Sequence, residues 1–403
     1  MSTDGRTADA TQATAGIESA SFVHLVTRAD GDALAASGLV ARALADRGTP
    51  FQMTVERTVA DRTHRIGAAE AGDRDLTLAI GAVDAEVPRL DATDRAATLA
   101  AVDLVRTLEG TPEPVLALAG LVAAGVEPGA GESEWILEAA RERGLIDRRP
   151  GVAVPTADPV DGVAHSTQLS TPWSGDPDAA GEALSAVGVA VDSAAELDAD
   201  DHRSIGSLVA LEAVGTDDAP PVAAETVQRI LRPYETPEAP FETVGGYADV
   251  LEASARAEPG TGVALAMGHD AREPTLAAWR EHARAAHGSL ARASTARYDG
   301  LSVLDIDDGP VETVARLAVE YRSPEPTVLA VGEGEAALAT RNREPLGPTV
   351  ERIARELENE TRENPTEDGD TDVGYDVGPR RGYLRYDSRV DDSTLITAVR
   401  GEL

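Results

Sequence analysis

Four carboxylates and three arginines are the residues whose types and spacing could do chemistry. Asp30 and Asp32 flank a glycine in the run Arg28-Ala29-Asp30-Gly31-Asp32. Asp84 follows the apolar run ending at Ile80, and Glu127 follows the glycine-bearing stretch Ala119 to Gly125. Carboxylates gathered at strand ends can hold hard divalent cations, which take oxygen ligands. Arg28 works against that chemistry. Its guanidinium stays charged at any working pH, and it would repel a cation by about 4 kcal/mol per charge at 4 Å and an effective dielectric near 20. Arg28 can instead pair with Asp30 or Asp32, or grip a phosphate. Asp30, just ahead of a helical stretch, can equally serve as an N-cap. The second basic candidate is Gly378-Pro379-Arg380-Arg381-Gly382. Glycines let backbone approach a phosphate, and two guanidiniums can each bind it bidentately. The structural alternative there is a solvated hairpin whose arginines balance Asp372, Asp376 and Asp387. His282 and His287, five apart, do not share one helical face well. Gly332-Glu333-Gly334 reads as a hairpin turn, because a lone G-x-G is weak and the glutamate would repel phosphate.

The elements that position these residues follow from periodicity. Ser21 to Val26 is an apolar run expected as a buried parallel strand, and Ala33 to Arg47 is a helix after the glycine turn. Phe51 to Val59 and Asp75 to Ile80 are further strands, and Arg95 to Leu108 and Pro114 to Gly125 are helices. Alternation of strand and helix predicts βαβ units on a parallel sheet. From about 128 to 290 the pattern is mostly helical, with Pro- and Gly-rich joints such as Thr236 to Phe241. The last hundred residues change character. Strands are expected over Gly300 to Asp305, Thr327 to Val331, Glu335 to Thr340 and Tyr383 to Tyr386. Helices are expected over Pro310 to Tyr321, Thr349 to Glu360 and Ser393 to Leu403, with an acidic, mobile loop over Pro365 to Asp372. The expected division is a flexible tail (1–18), an α/β domain (19–150), a mostly helical connector (151–295) and a small α+β domain (296–403).

Composition bounds the function. The 403 residues carry 36 basic and 71 acidic side chains, a net charge of -35, and every cation is Arg. An acidic, lysine-free surface reads as halophilic adaptation: near 1 M salt the Debye length falls to about 3 Å, which screens self-repulsion. Acidity alone would argue against nucleic-acid binding, but in a salt-adapted chain a local Arg cluster matters more. With no cysteine, disulfides and thiol chemistry are excluded. No run of 18 apolar residues and no signal peptide is present, so no membrane association and a cytoplasmic location are expected.

The run Val26-Thr27-Arg28-Ala29-Asp30-Gly31-Asp32-Ala33, followed by small residues to Gly38, resembles the H-x-D-A-D-G motif of DHH-family phosphoesterases. The family His falls on Val26 and the first Asp on Arg28, leaving Asp30 as the remnant metal ligand. No adjacent pair of His exists, so the naming triplet is absent. His165 to Gly175 and Gly245 to Arg256 resemble later segments of archaeal RecJ-like nucleases. The C-terminal domain resembles the DHH-associated domain, whose Gly-Gly-His loop would correspond to Gly378 to Gly382. The resemblance implies a parallel-sheet DHH-like domain, a helical connector and an α+β DHH-associated domain. It also implies two Mn²⁺ ions in active members, which Asp30 alone cannot hold. The expectation is therefore a catalytically degenerate RecJ-like protein of archaeal DNA replication or repair. Such a pseudoenzyme would act as scaffold or single-strand-binding partner of the GINS/MCM replicative helicase, as the eukaryotic cell-division-cycle homologue does, or of a RecJ-like paralogue. Arg28, Gly378, Arg380, Arg381 and Gly382 are its candidate nucleic-acid contacts. The alternative is an active Mn²⁺-dependent single-strand exonuclease, acting on DNA or RNA, with ligands rebuilt from Asp30, Asp32, Asp84 and Glu127.

Overall fold

The computed structural model describes residues 13–69, 72–90, 95–191, 197–215, 219–342, 344–363, 373–387 and 390–403. The acidic loop expected over Pro365 to Asp372 lies outside the described residues. Two compact units form: 1–166 with 184–206 and 230–281, and 167–183 with 207–229 and 282–403. The stretch 151–295, expected as a separate connector, is divided between them.

In the first unit, strands β1 (Phe22–Arg28), β2 (Phe51–Glu56) and β3 (Asp75–Ile80) form a three-stranded parallel sheet in the order β2-β1-β3. The helices along this part of the chain are α1 (residues 13–19), α2 (Gly31–Asp46), α3 (Val59–Ala68), α4 (Ala97–Thr107), α5 (Pro114–Ala123), α6 (Glu134–Glu142) and α7 (Pro159–His165). Further along the chain, α8 (Pro177–Ala186), α9 (Ala199–Val214) and α10 (Val222–Ile230) are each divided between the two units, and α11 (Val244–Ala257) and α12 (Pro259–Ala266) belong to the first. Strands β4 (Asp147–Arg148) and β5 (Tyr234–Glu235) make a two-stranded antiparallel ribbon. α1 corrects the expected tail, which was drawn to residue 18: Ala13 and Ile17 are fully buried, and that burial offsets the entropy cost of ordering the chain.

α2 is the centre of this unit. It is buried almost throughout and packs on α4, α5 and α11. Its small residues permit close approach. A Cβ at Gly38 would lie 2.6 Å from the Ala266 carbonyl oxygen, and one at Gly120 of α5 would lie 2.5 Å from Ala35 Cβ. Packing this close compensates for the small area each Ala buries.

In the second unit, a six-stranded mixed sheet has the order β10-β11-β9-β8-β7-β6. Its strands are β6 (Ser294–Tyr298), β7 (Leu301–Asp305), β8 (Thr327–Gly332), β9 (Glu335–Thr340), β10 (Gly374–Val377) and β11 (Arg381–Arg385). Only β7 and β8 run parallel, joined through α14 (Val311–Tyr321); α13 (Arg272–Arg292) precedes β6. α15 (Gly347–Glu363) packs on β10, β11 and the closing helix α16 (Asp392–Glu402). Glu333-Gly334 closes the β8–β9 hairpin, with Gly334 at φ 71°. Strands β6 and β10 and helix α3 were not expected from the sequence. Among the described residues no helix is long and apolar enough to cross a membrane.

Candidate functional site

The turn after β1 carries the sequence's main expectation, and the structure shows what each residue there does. Arg28 ends β1 and is only 9% exposed. Its Nε pairs with Asp30 Oδ2. The other oxygen of Asp30 accepts from the Ala33 N–H at 2.8 Å, the N-cap bond of α2. Asp32 caps a different helix. Its Oδ2 accepts from the Ala97 N–H at 2.8 Å, and its Oδ1 accepts from the Thr98 N–H and hydroxyl at 2.9 and 2.7 Å. Ala96, at the N-cap of α4, offers no side-chain cap of its own, so Asp32 satisfies these otherwise orphan donors. Burial and the Asp30 charge push the Asp32 pKa up, against the hydrogen bonds from Thr98 and the Arg28 charge.

Around this pair the site is closed by groups the sequence reading did not find. Glu252 of α11 accepts from the Gly31 N–H at 2.6 Å and pairs with Arg256 at 2.5 Å. Gly81, at φ 119°, ends β3 against Arg28, where a Cβ would lie 2.9 Å from Arg28 Cβ. Arg62 of α3 is fully buried and donates to the carbonyl oxygens of Ala82, Glu56 and Arg57 at 2.9, 3.2 and 3.3 Å. The only early signal for Glu252 was its place in the Gly245 to Arg256 segment.

The other proposed carboxylates are elsewhere in character. Asp84 is exposed, its N–H donating to Thr63 Oγ1 at 3.0 Å, and Glu127 is exposed beyond α5. Among the described residues, no group of three or more His, Asp or Glu side chains is arranged to hold a metal ion. The residues at the turn do not fit a two-metal centre. Asp30 is divided between a guanidinium and a helix cap, Asp32 is a cap, and a fixed cation lies beside both.

The C-terminal arginine loop is a hairpin turn. Gly378 donates its N–H to the Arg381 carbonyl oxygen at 2.9 Å, and Val377 faces Gly382 across β10 and β11. Gly378 is buried, Arg380 exposed and Arg381 half-buried. Gly382 is required by packing, since a Cβ there would collide with Val350 Cγ2. His282 Nε2 lies 2.9 Å from Thr313 Oγ1.

One further polar cluster lies in the first unit. His165 Nδ1 is 3.0 Å from Asp161 Oδ1, and Arg280 binds both Asp161 oxygens at 2.8 and 2.9 Å. The His165 ring meets Trp279 edge-on at 5.7 Å, and Trp279 Nε1 donates to Asp249 Oδ2 at 2.9 Å. Burial opposes ionisation of Asp161, but hydrogen bonds from His165 and Arg280 outweigh it and hold the carboxyl well below the usual range. The i, i+4 spacing of Asp161 and His165 was the available sequence signal.

A parallel three-stranded sheet with its helices, and a second mixed sheet in the C-terminal part, define a DHH/RecJ-like fold. CDC45 from Entamoeba histolytica superposes with a TM-score of 0.62 over 98% of this chain and 99% of that one, at 7% identity. RecJ from Thermus thermophilus, in complex with Mg²⁺, gives a TM-score of 0.48 at 14% identity, covering 99% of this chain and 52% of that one. By sequence the chain is 47% identical over 339 residues to the uncharacterized protein rrnAC1427 of Haloarcula marismortui, covering 84% of this chain and 86% of that protein. Residues 293–401 match the C-terminal domain model of the same protein. The chain belongs to the rrnAC1427 family.

Proposed function

We propose that this protein is a catalytically degenerate DHH/RecJ-like protein of archaeal DNA replication. In this reading it works in the cytoplasm as a scaffold or single-strand-binding partner of the GINS/MCM helicase. One observation carries the proposal. At the turn where an active phosphoesterase gathers its metal ligands, Arg28 fills the space as the ion-pair partner of Asp30. A guanidinium supplies fixed positive charge but is no Lewis acid and cannot take water as an inner-sphere ligand, so it does not replace the chemistry of a two-metal clamp. Whole-length likeness of fold to CDC45 supports the replication-related part of this reading. Arg380, exposed at its hairpin, is the remaining C-terminal candidate for a phosphate contact.

The test is Mn²⁺-dependent hydrolysis of end-labelled single-stranded DNA and RNA in molar KCl, with Asp30→Ala as control. No hydrolysis is expected from either protein. Hydrolysis that the substitution abolishes would overturn the reading and restore the active-exonuclease alternative. Affinity capture with the tagged full chain then tests the partner. GINS or MCM subunits are expected, and capture of a RecJ-like paralogue alone would replace them.

A further inference from the structure

We propose that the β4–β5 ribbon and the end of α6 bind the phosphate backbone of single-stranded nucleic acid through Arg141, Arg148 and Arg232. The inference deepens the reading above, and rests on it in assigning a nucleic-acid partner. In a chain with 71 acidic residues against 36 arginines, three arginines gathered at one ribbon run against the prevailing charge. These three are exposed, and none of their guanidiniums pairs with a carboxylate among the described residues, while Asp147 Oδ1 accepts the backbone N–H of Arg148 at 2.7 Å.

The guanidiniums of Arg141 and Arg148 are also held in place. Arg148 lies opposite Tyr234 in the ribbon, and its guanidinium stacks on that ring at 4.1 Å from the centroid. Arg141 approaches the same ring at 5.4 Å and donates to its hydroxyl at 3.0 Å. Tyr234 is buried beneath them, 6% exposed. Arg148 Nη1 donates to the Arg232 carbonyl oxygen at 2.6 Å. Arg232 itself is at φ 55°, one of two non-glycine residues with positive φ among the described residues. A left-handed arginine is costly, and such strain persists where the surroundings over-determine it. The base of the ribbon is tied by Arg149, which contacts the His202 ring at 2.8 Å and Glu235 at 3.4 Å.

Fixed guanidiniums lose little freedom on binding, and their forks match phosphate oxygens. In molar salt only such contact-distance bonds survive screening. The geometry favours nucleic acid over an acidic peptide. Arg148 stays exposed while its guanidinium is held over Tyr234, and a guanidinium plane is a stacking surface for an unpaired base.

The experiment measures binding of the full chain to fluorescently labelled oligo-dT and oligo-U across a KCl series. Wild type is compared with Arg141→Gln/Arg148→Gln, with Arg232→Gly and with Arg380→Gln. Arg232→Gly relieves the positive φ and stays outside the Tyr234 stack, so it remains informative if the double variant fails to fold. Expected is about a tenfold or greater loss of affinity for the double variant and a smaller loss for Arg232→Gly. The slope of log affinity on log salt should become shallower by about 0.7 per lost phosphate contact. No binding by wild type, or a loss confined to Arg380→Gln, would overturn the proposal. Loss of GINS or MCM capture by the double variant with oligonucleotide binding intact would also overturn it, making the patch a site for an acidic protein segment. Capture of those partners by a wild type that binds no oligonucleotide would sink this inference and leave the scaffold reading standing.

Discussion

At the turn after β1, Arg28 is the fixed cation beside Asp30 and Asp32. A carboxylate there would add to the negative charge of Asp30 and Asp32 and call for a cation; an arginine is that cation. Because both partners are buried, Arg28→Ala would remove a guanidinium that pairs with the Asp30 carboxylate, and a loss of about 3–5 kcal/mol is expected from chemical denaturation. Arg28→Ala/Asp30→Ala should recover part of it, since both members of the pair are then gone; a double variant no more stable than Arg28→Ala would refute the pairing. Residue-scale legibility followed the same line. Asp30 as helix cap and Arg28 as ion-pair partner were readable, because both bonds are local. The capping of α4 by Asp32 and the Glu252 bond to Gly31 join segments far apart in the chain, and no short motif records them. Asp161 gives a pH prediction. Its folded-state pKa is depressed by His165 and Arg280 against the cost of burial, so its contribution to stability is present above the unfolded value near about 3.9 and is lost as pH falls below it. Asp161→Asn should lower thermal stability at neutral pH and flatten its decline on acidification. A parallel decline in both proteins would remove this cluster from the acid transition.

At the scale of elements, the readable ones announce themselves by period and by end signals. β1 is a largely buried, mainly apolar run, β2 alternates apolar and polar residues, and α2 begins at an Asp-Gly turn. What escaped has a physical cause in each case. β6 and β10 are the edges of the six-stranded sheet, and β6 is exposed over Ser294 to Arg297, so it needs no apolar alternation. α3 buries only Val59 and Arg62, and a helix anchored by an arginine bonded to backbone carbonyls looks polar in sequence. The close packing of α2 makes an element-level prediction. Alanine ordinarily favours a helix over glycine by about 1 kcal/mol, yet Gly38→Ala would drive a methyl to 2.6 Å from the Ala266 oxygen. Net destabilisation of about 1–3 kcal/mol is expected, read from the urea midpoint. A neutral or raised midpoint would mean that α12 moves aside freely.

At the scale of the whole molecule, charge is the dominant fact. A chain holding 71 acidic and 36 basic residues repels itself in dilute buffer, and self-repulsion opposes the compact state. The core that must oppose it is built largely of Ala, Val and Leu, small groups that each bury little apolar area. The balance of a folded protein is only about 5–15 kcal/mol, so an unscreened repulsive term of a few kcal/mol decides whether the chain folds. Raising KCl shortens the Debye length from about 10 Å at 0.1 M to about 3 Å at 1 M, below the separation of most surface charges. The melting temperature should therefore climb steeply up to roughly 1 M KCl and flatten beyond it once screening is complete. If excluded-solute effects on apolar burial dominated instead, the gain would continue above that range and be larger in sulfate than in chloride at equal ionic strength. Melting curves in both salts separate the two causes. A melting temperature flat from dilute buffer to molar KCl would remove the basis for reading this composition as an adaptation to salt. It would also restore to the net charge its usual force against any nucleic-acid partner.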